Sequence, residues 1–250
     1  MEQIYTGIDM AKDSFVVATR LEGKEITTLY NNDKKGIAGF LKSLPSNSWC
    51  IMEATGVYNL QLAIALFEKG IKVSVVNPLQ IKRFAQTKLK RTKTDKVDAA
   101  LIAEYGERMQ PKLYEPPAPF MRQLQQQRMS LKLLFKTKRS FLNQLHALTQ
   151  LEAADKVALK ACKTVLKSIE KQIKELQNQM QQQAEEHCRD LFTLLQTIPG
   201  ISKKSALELI IVSGGFKNFT SAKQFSSFIG ICPCINESGT SIRGYRGLAE

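Results

Sequence analysis

Apolar and polar positions follow two periods over the first hundred residues. "IYTGIDM" and "SFVVATRL" are runs rich in β-branched and aromatic residues, "EGK" breaks them with a turn signal, and "EITTLYN" is a third run of the same kind. This pattern predicts three strands in an antiparallel meander. The period then lengthens: Ile37, Phe40, Leu41 and Leu44 fall on one helical face, which predicts a helix over residues 33–44. "WCIMEAT" reads as a short buried strand, "GVYNLQLAIALFEKG" as a helix closed by Gly70, and "IKVSVVN" as a strand ended by Pro78. Strands separated by helices need parallel crossovers, so the order β-β-β-α-β-α-β-α implies a mixed α/β sheet built onto the edge of the meander. A further helix is expected over residues 94–107.

The pattern changes after "YEPPAPF" (114–120), whose three prolines mark a linker. Residues 121–186 contain no Gly or Pro and are rich in Gln, Lys and Leu, as long helices are. Leu159, Cys162, Leu166, Ile169, Ile173, Leu176 and Met180 recur at alternating spacings of three and four, the seam of a coiled coil or helical hairpin. From Leu191 the chain becomes compact again. "TIPGISKKSALELIIVSGG" sets Pro199 and Gly200 in a tight turn before a helix, resembling a helix-hairpin-helix element. The expected organisation is a catalytic α/β domain over 1–113, a linker over 114–120, a helical coiled-coil segment over 121–190 and a small, mostly helical domain over 191–250.

Charge changes this picture. The 250 residues carry a net +13, and an unpaired excess of Lys and Arg is best relieved by a polyanion, nucleic acid first among them. Candidate phosphate contacts are Lys82, Arg83, Lys88, Lys90, Arg91 and Lys93 in the first hundred residues, Arg122 and Arg128 in the helical segment, Lys203 and Lys204 at the Pro-Gly turn, and Arg243. Between Glu115 and Glu152 six basic residues occur with no acidic one, a one-signed run that favours a phosphate partner over a merely solvated face. The polar N-terminus is unlike a signal peptide and the apolar runs are short for a bilayer, so no membrane association and a cytoplasmic location are expected. Five cysteines without a CxxC and two histidines support neither a disulfide framework nor structural zinc.

Acid interrupts the most basic stretch. "LKRTKTDKVDAALIAEYG" places Asp95 and Asp98 at i and i+3, on one face at the start of the helix over 94–107. Asp9 ends the first strand, and Glu53 ends a strongly apolar fourth strand, where a charge is costly unless something positive meets it. Neighbouring strand ends bring such side chains together, so the four carboxylates could form a site for a hard divalent cation such as Mg²⁺. Read without a metal, Asp95 or Thr94 caps the helix and Asp98 complements its dipole, together about 0.5–2 kcal/mol.

The β-β-β-α-β-α-β-α order is also that of ribonuclease H-like nucleases. "YTGIDMAKDSF", "MEATGVYNLQLAIALFEKGIKVSVVNP", "KRTKTDKVDAALIAEY", "TIPGISKKSALELI" and "FIGICPCINESGTS" resemble, in order and over nearly the whole chain, the DEDD transposases of bacterial insertion sequences, the bridge-RNA-guided serine recombinases. The resemblance implies a RuvC-like N-terminal domain whose metal-binding tetrad is Asp9, Glu53, Asp95 and Asp98, and a catalytic serine matching Ser238, with Gly239 beside it. It further implies DNA and a noncoding bridge RNA as partners and a dimer or tetramer formed through the coiled coil. By its residues alone Ser241 is an equal candidate for the nucleophile; Arg243 and Arg246 could clamp a phosphate beside either. Family members continue beyond this element, whereas this sequence stops at "RGYRGLAE", so a shortened transposase domain is an expectation too. Two competing readings stand beside this one: a junction nuclease using the same tetrad with water, and a nucleic-acid-binding remnant without recombination activity.

Overall fold

The computed structural model describes residues 3–21, 24–88, 94–234, 237–238, 242–243 and 247–248. The chain divides into two compact units, residues 1–116 and 117–250.

The first unit carries one five-stranded sheet in the order β3-β2-β1-β4-β5. Strands β1 (Ile4–Met10), β2 (Ser14–Leu21) and β3 (Lys24–Asn31) form the antiparallel meander, and β4 (Ser48–Glu53) and β5 (Lys72–Val76) add to β1 in parallel. This is the ribonuclease H-like arrangement expected from the sequence. Helices α1 (Lys34–Ser43) and α2 (Leu60–Glu68) cover one face. There Ile8, Met10, Phe15 and Val17 of the sheet meet Ile37, Phe40, Leu62 and Leu66. Asp33 starts α1 by accepting the Gly36 amide at 2.7 Å.

The other face holds α3 (Pro78–Thr87) and α4 (Asp95–Met109). Ile51 and Val76 of the sheet pack there with Ile81, Leu101, Ile102 and Tyr105, while Val16 and Ala18 pack with Ala99. Helix α3 was not among the elements expected from the sequence. Its signal is local: Asn77 accepts the Leu79 amide at 2.8 Å as the N-cap, and Pro78 occupies the first helical position, where its missing N–H is harmless.

The close approach of α4 to the sheet depends on small residues. A Cβ on Gly7 of β1 would collide with the Ala99 carbonyl and the Ala103 amide nitrogen, and one on Gly106 would strike the Ile51 side chain. Glycine at position 7 therefore sets the depth of α4 over the central strand.

The second unit is built on an antiparallel hairpin of α5 (Pro119–Thr149) and α6 (Lys156–His187), followed by α7 (Arg189–Gln196), α8 (Lys203–Ser213) and α9 (Ala222–Phe228). Met121 and Leu124 of α5, Met180 and Ala184 of α6, Phe192 and Leu195 of α7, and Ala206 and Ile210 of α8 share one core. The boundary expected near residue 190 thus falls inside a single packed unit. All seven expected seam residues of α6 are buried or half-buried. Four two-residue strands follow, β6 (Pro233–Cys234), β7 (Glu237–Ser238), β8 (Ile242–Arg243) and β9 (Gly247–Leu248), paired as β6-β9 and β7-β8. Helices α7, α8 and α9 make up most of the regular structure among the described residues of 191–250, as expected of a small, mostly helical domain, and the short strands follow them. Among the described residues no helix is long and apolar enough to cross a membrane.

Candidate active site

Alternation along β1 sends Ile8 and Met10 into the α1/α2 core and leaves Gly7 and Asp9 on the α4 side. The parallel register pairs Gly7 with Ile51 and Ile8 with Met52. Asp9 and Glu53 therefore follow at one level on adjacent strands, on the same face as Ile51. Both are half-buried. The sheet alone thus brings together two carboxylates that lie 44 positions apart in the sequence.

Helix α4 supplies the other two. Thr94 is its N-cap: the hydroxyl accepts the Val97 amide at 3.3 Å, and the Asp98 amide donates to the Thr94 carbonyl at 2.8 Å. Asp95 and Asp98 stand in the first turn, Asp95 exposed and Asp98 half-buried. Because α4 lies flush on Gly7, its N-terminal turn faces the strand ends. All four carboxylates line one cleft of about 1010 Å³, closed on its other side by Asn77, Leu79 and Lys82 of the β5–α3 connection and α3. Ser14 of β2 also lines it. Ser14, Asn77 and Leu79 were not singled out from the sequence; the Asn-Pro helix start was a signal for the last two, and nothing local marks Ser14.

The donor set is all carboxylate oxygen, which suits a hard divalent cation. Among the described residues, however, no three His, Cys, Asp or Glu side chains stand close enough together to hold one ion. The cleft collects the tetrad without gathering it around a single point.

The basic candidates separate by environment. Lys82 lines the cleft, and Arg83 is exposed on α3. Lys88, expected at a phosphate, is instead half-buried, 2.6 Å from Glu104 and over the Phe84 ring, so its charge is answered within the protein. Lys90, Arg91 and Lys93 lie outside the described residues. In the second unit Arg128 is likewise engaged, its Nε 2.6 Å from a Glu208 oxygen. Lys138 of the one-signed run pairs with Glu170 at 2.7 Å. Arg122 is half-buried on the first turn of α5. Lys203 and Lys204 are exposed at the start of α8, after Gly200 at φ +87° and a Ser202 cap on the Ser205 amide. Ser238 and Arg243 are placed as backbone in β7 and β8, and Gly239, Ser241 and Arg246 lie outside the described residues. Cys50 is fully buried, and loss of solvent pushes its thiol far above the ordinary range, which makes it an inert packing group.

Comparison with known proteins agrees with this architecture. Residues 6–154 match a family model described as a transposase, and residues 192–249 match one described as the transposase IS116/IS110/IS902 family. The whole chain is 31% identical to the pilin gene-inverting protein of Moraxella lacunata and 30% identical to that of Moraxella bovis, spanning 80% of each. T. thermophilus RuvC in complex with a Holliday junction substrate aligns at 14% identity and a TM-score of 0.33, over 45% of this chain and all of that one, a likeness below the level that bears on mechanism. With both parts of its length matched in order and curated relatives spanned at 30% identity or more, this chain belongs to the IS110 family of transposases.

Proposed function

We propose that this transposase cuts and rejoins DNA through the tetrad Asp9, Glu53, Asp95 and Asp98 and the nucleophile Ser238, on DNA selected by a noncoding bridge RNA. The observation that carries the reading is the single cleft lined by all four carboxylates and Lys82. Four acids facing one space repel each other and any phosphate, and a cation bound among them would lower that repulsion. A bound divalent cation, Mg²⁺ in this reading, would be held by these four side chains and would polarise a phosphoryl oxygen. Among the described residues no three ligating side chains stand close enough to hold one ion, so holding one would require the carboxylates to close up.

Asp9 and Glu53 are held by paired strands and form the rigid half of the site. Asp95 and Asp98 sit on a helix terminus and form the half that can adjust. Lys82 attracts the DNA backbone into the cleft, and exposed Arg83 extends that attraction along α3. The Ser238 hydroxyl attacks phosphorus; one P–O bond to serine forms as one P–O bond of the DNA breaks, and the departing oxygen takes up the proton. The phosphoserine ester keeps the linkage energy for rejoining.

Assembly into a dimer or tetramer through the hairpin is part of the reading. Met129, Leu133, Leu142, Val157 and Val165 are exposed on α5 and α6 and offer apolar contacts to a second copy. A cytoplasmic location is consistent with a nucleic-acid substrate.

The test is trapping. Incubated with Mg²⁺, guide RNA and target DNA, the wild-type chain should yield a covalent protein–DNA adduct that disappears in Ser238→Ala and in Asp9→Asn. Hydrolysed ends without attached protein would assign the attack to water, and an undiminished adduct in Ser238→Ala would remove that serine from the chemistry.

A further inference from the structure

The lysines of the first half of α6 belong to none of the sites above. Lys156, Lys160, Lys163 and Lys167 recur at spacings of four, three and four, so they form one stripe on the helix. With Leu159 and Thr164 they line a groove of about 470 Å³. All four are exposed, and among the described residues none makes an ion pair, whereas Lys138, Lys171 and Arg128 elsewhere on the hairpin each do.

The surroundings reinforce the sign. Residues 132–167, the end of the hairpin away from the shared core, hold eight basic and two acidic residues. One of those acids, Asp155, is spent as the N-cap of α6, accepting the Ala158 amide at 2.9 Å. Packing does not explain the lysines, since Leu166, Ile169 and Ile173 form the seam without them.

We infer that this stripe is a docking surface for the phosphate backbone of duplex DNA lying outside the acidic cleft. Three residues in the stripe's period give a rise of about 4.5 Å and four give about 6 Å, so the ammonium groups span about 16 Å of backbone. Over that length a duplex presents on the order of ten phosphates. Flexible lysines are point charges that track a backbone without reading bases. No aromatic side chain lines the groove, which disfavours single strands, whose binding relies on stacking. The inference rests on the proposed reading only in that DNA is the substrate; it does not depend on the tetrad or on Ser238.

The stripe can be tested in the full chain by measuring affinity for duplex DNA against salt, using K156Q/K160Q/K163Q/K167Q. Each phosphate contact contributes about 0.9 to the slope of log K on log [salt], so the fourfold variant should flatten the slope by about 3.6. A charge-matched control, K34Q/K35Q/K42Q/K69Q, alters exposed lysines of the first unit and should leave the slope unchanged. Lys-to-Gln preserves helix propensity. Amine labelling of the wild-type chain gives an arm independent of any variant: bound DNA should protect the four stripe lysines.

An unchanged slope, an equal change in the control, absence of protection, or an effect seen with duplex RNA but not DNA would each overturn the inference. Adduct formation separates this result from the proposed chemistry: a wild-type adduct with an unaffected slope removes only the stripe, and a protected stripe without an adduct removes only the serine step.

Discussion

The α4 face of the sheet and the outer half of the α5–α6 hairpin represent two ways of placing charge. In the first, packed elements place the backbone of each acid: Asp9 and Glu53 by strand register, and Asp95 and Asp98, more loosely, by the first turn of a capped helix seated on a glycine. In the second, a thin seam of Leu166, Ile169 and Ile173 supports four stripe lysines that make no ion pair among the described residues. Catalytic groups need fixed geometry, and the proposed tetrad sits on paired strands and a docked helix. Groups that only attract a polyanion need number and sign, and a lightly packed arm suffices. The difference teaches that rigidity in this molecule follows chemistry more closely than it follows charge.

The largest expected effect tests the packing half of that contrast. Phe40, 1% exposed and in edge contact with Phe15, should lose about 3–5 kcal/mol on change to alanine. Ile169→Ala, in the two-sided seam of the hairpin, should lose about 2 kcal/mol, near the bottom of the range for buried isoleucine. Denaturant titration of both variants checks this, and equal losses would dissolve the distinction between the two regions.

A smaller effect sharpens the positioning half. Gly7→Ala sets a Cβ against helical backbone that cannot step aside, so α4 must lift, at about 1–3 kcal/mol. Adduct yield should fall further than this loss of stability explains, because Asp95 and Asp98 move with the helix. Gly39→Ala is the counter-case: its Cβ meets open space on the outer face of α1, and the change should stabilise by about 0.5–1 kcal/mol and raise the melting temperature slightly. The same sign for both substitutions would show that position 7 does not set the helix depth.

The smallest effect concerns the cap. Thr94→Ala removes the acceptor for the Val97 amide and should lower stability by about 1 kcal/mol, with Thr94→Ser restoring most of it. If the first turn of α4 holds two of the four carboxylates in place, cleavage should follow the cap in the same order: threonine, serine, alanine.

Much of the first unit was legible because its periods are clean. The meander, α1, β4, α2 and β5 announce themselves by apolar runs and spacing, α2 and β5 also by a terminating Gly70 and Pro78, and the four acids stand at element ends. Helix α3 was less legible because its apolar face is short and its start depends on an Asn-Pro cap. The engagement of Lys88 by Glu104 and of Arg128 by Glu208 was not legible, since each pair joins residues distant in sequence and only the packed elements bring them together.

The amino-acid order by itself determined the strand and helix sequence, the excess of positive charge and the identity of the acidic residues, because these depend on local periodicity and composition. Tertiary structure alone decided that the acids share one cleft, that some cations are already paired, and that the α6 lysine stripe makes no ion pair among the described residues. Those outcomes depend on strand register and on how closely a helix can approach a glycine, which are distances between elements and leave no periodic trace along the chain.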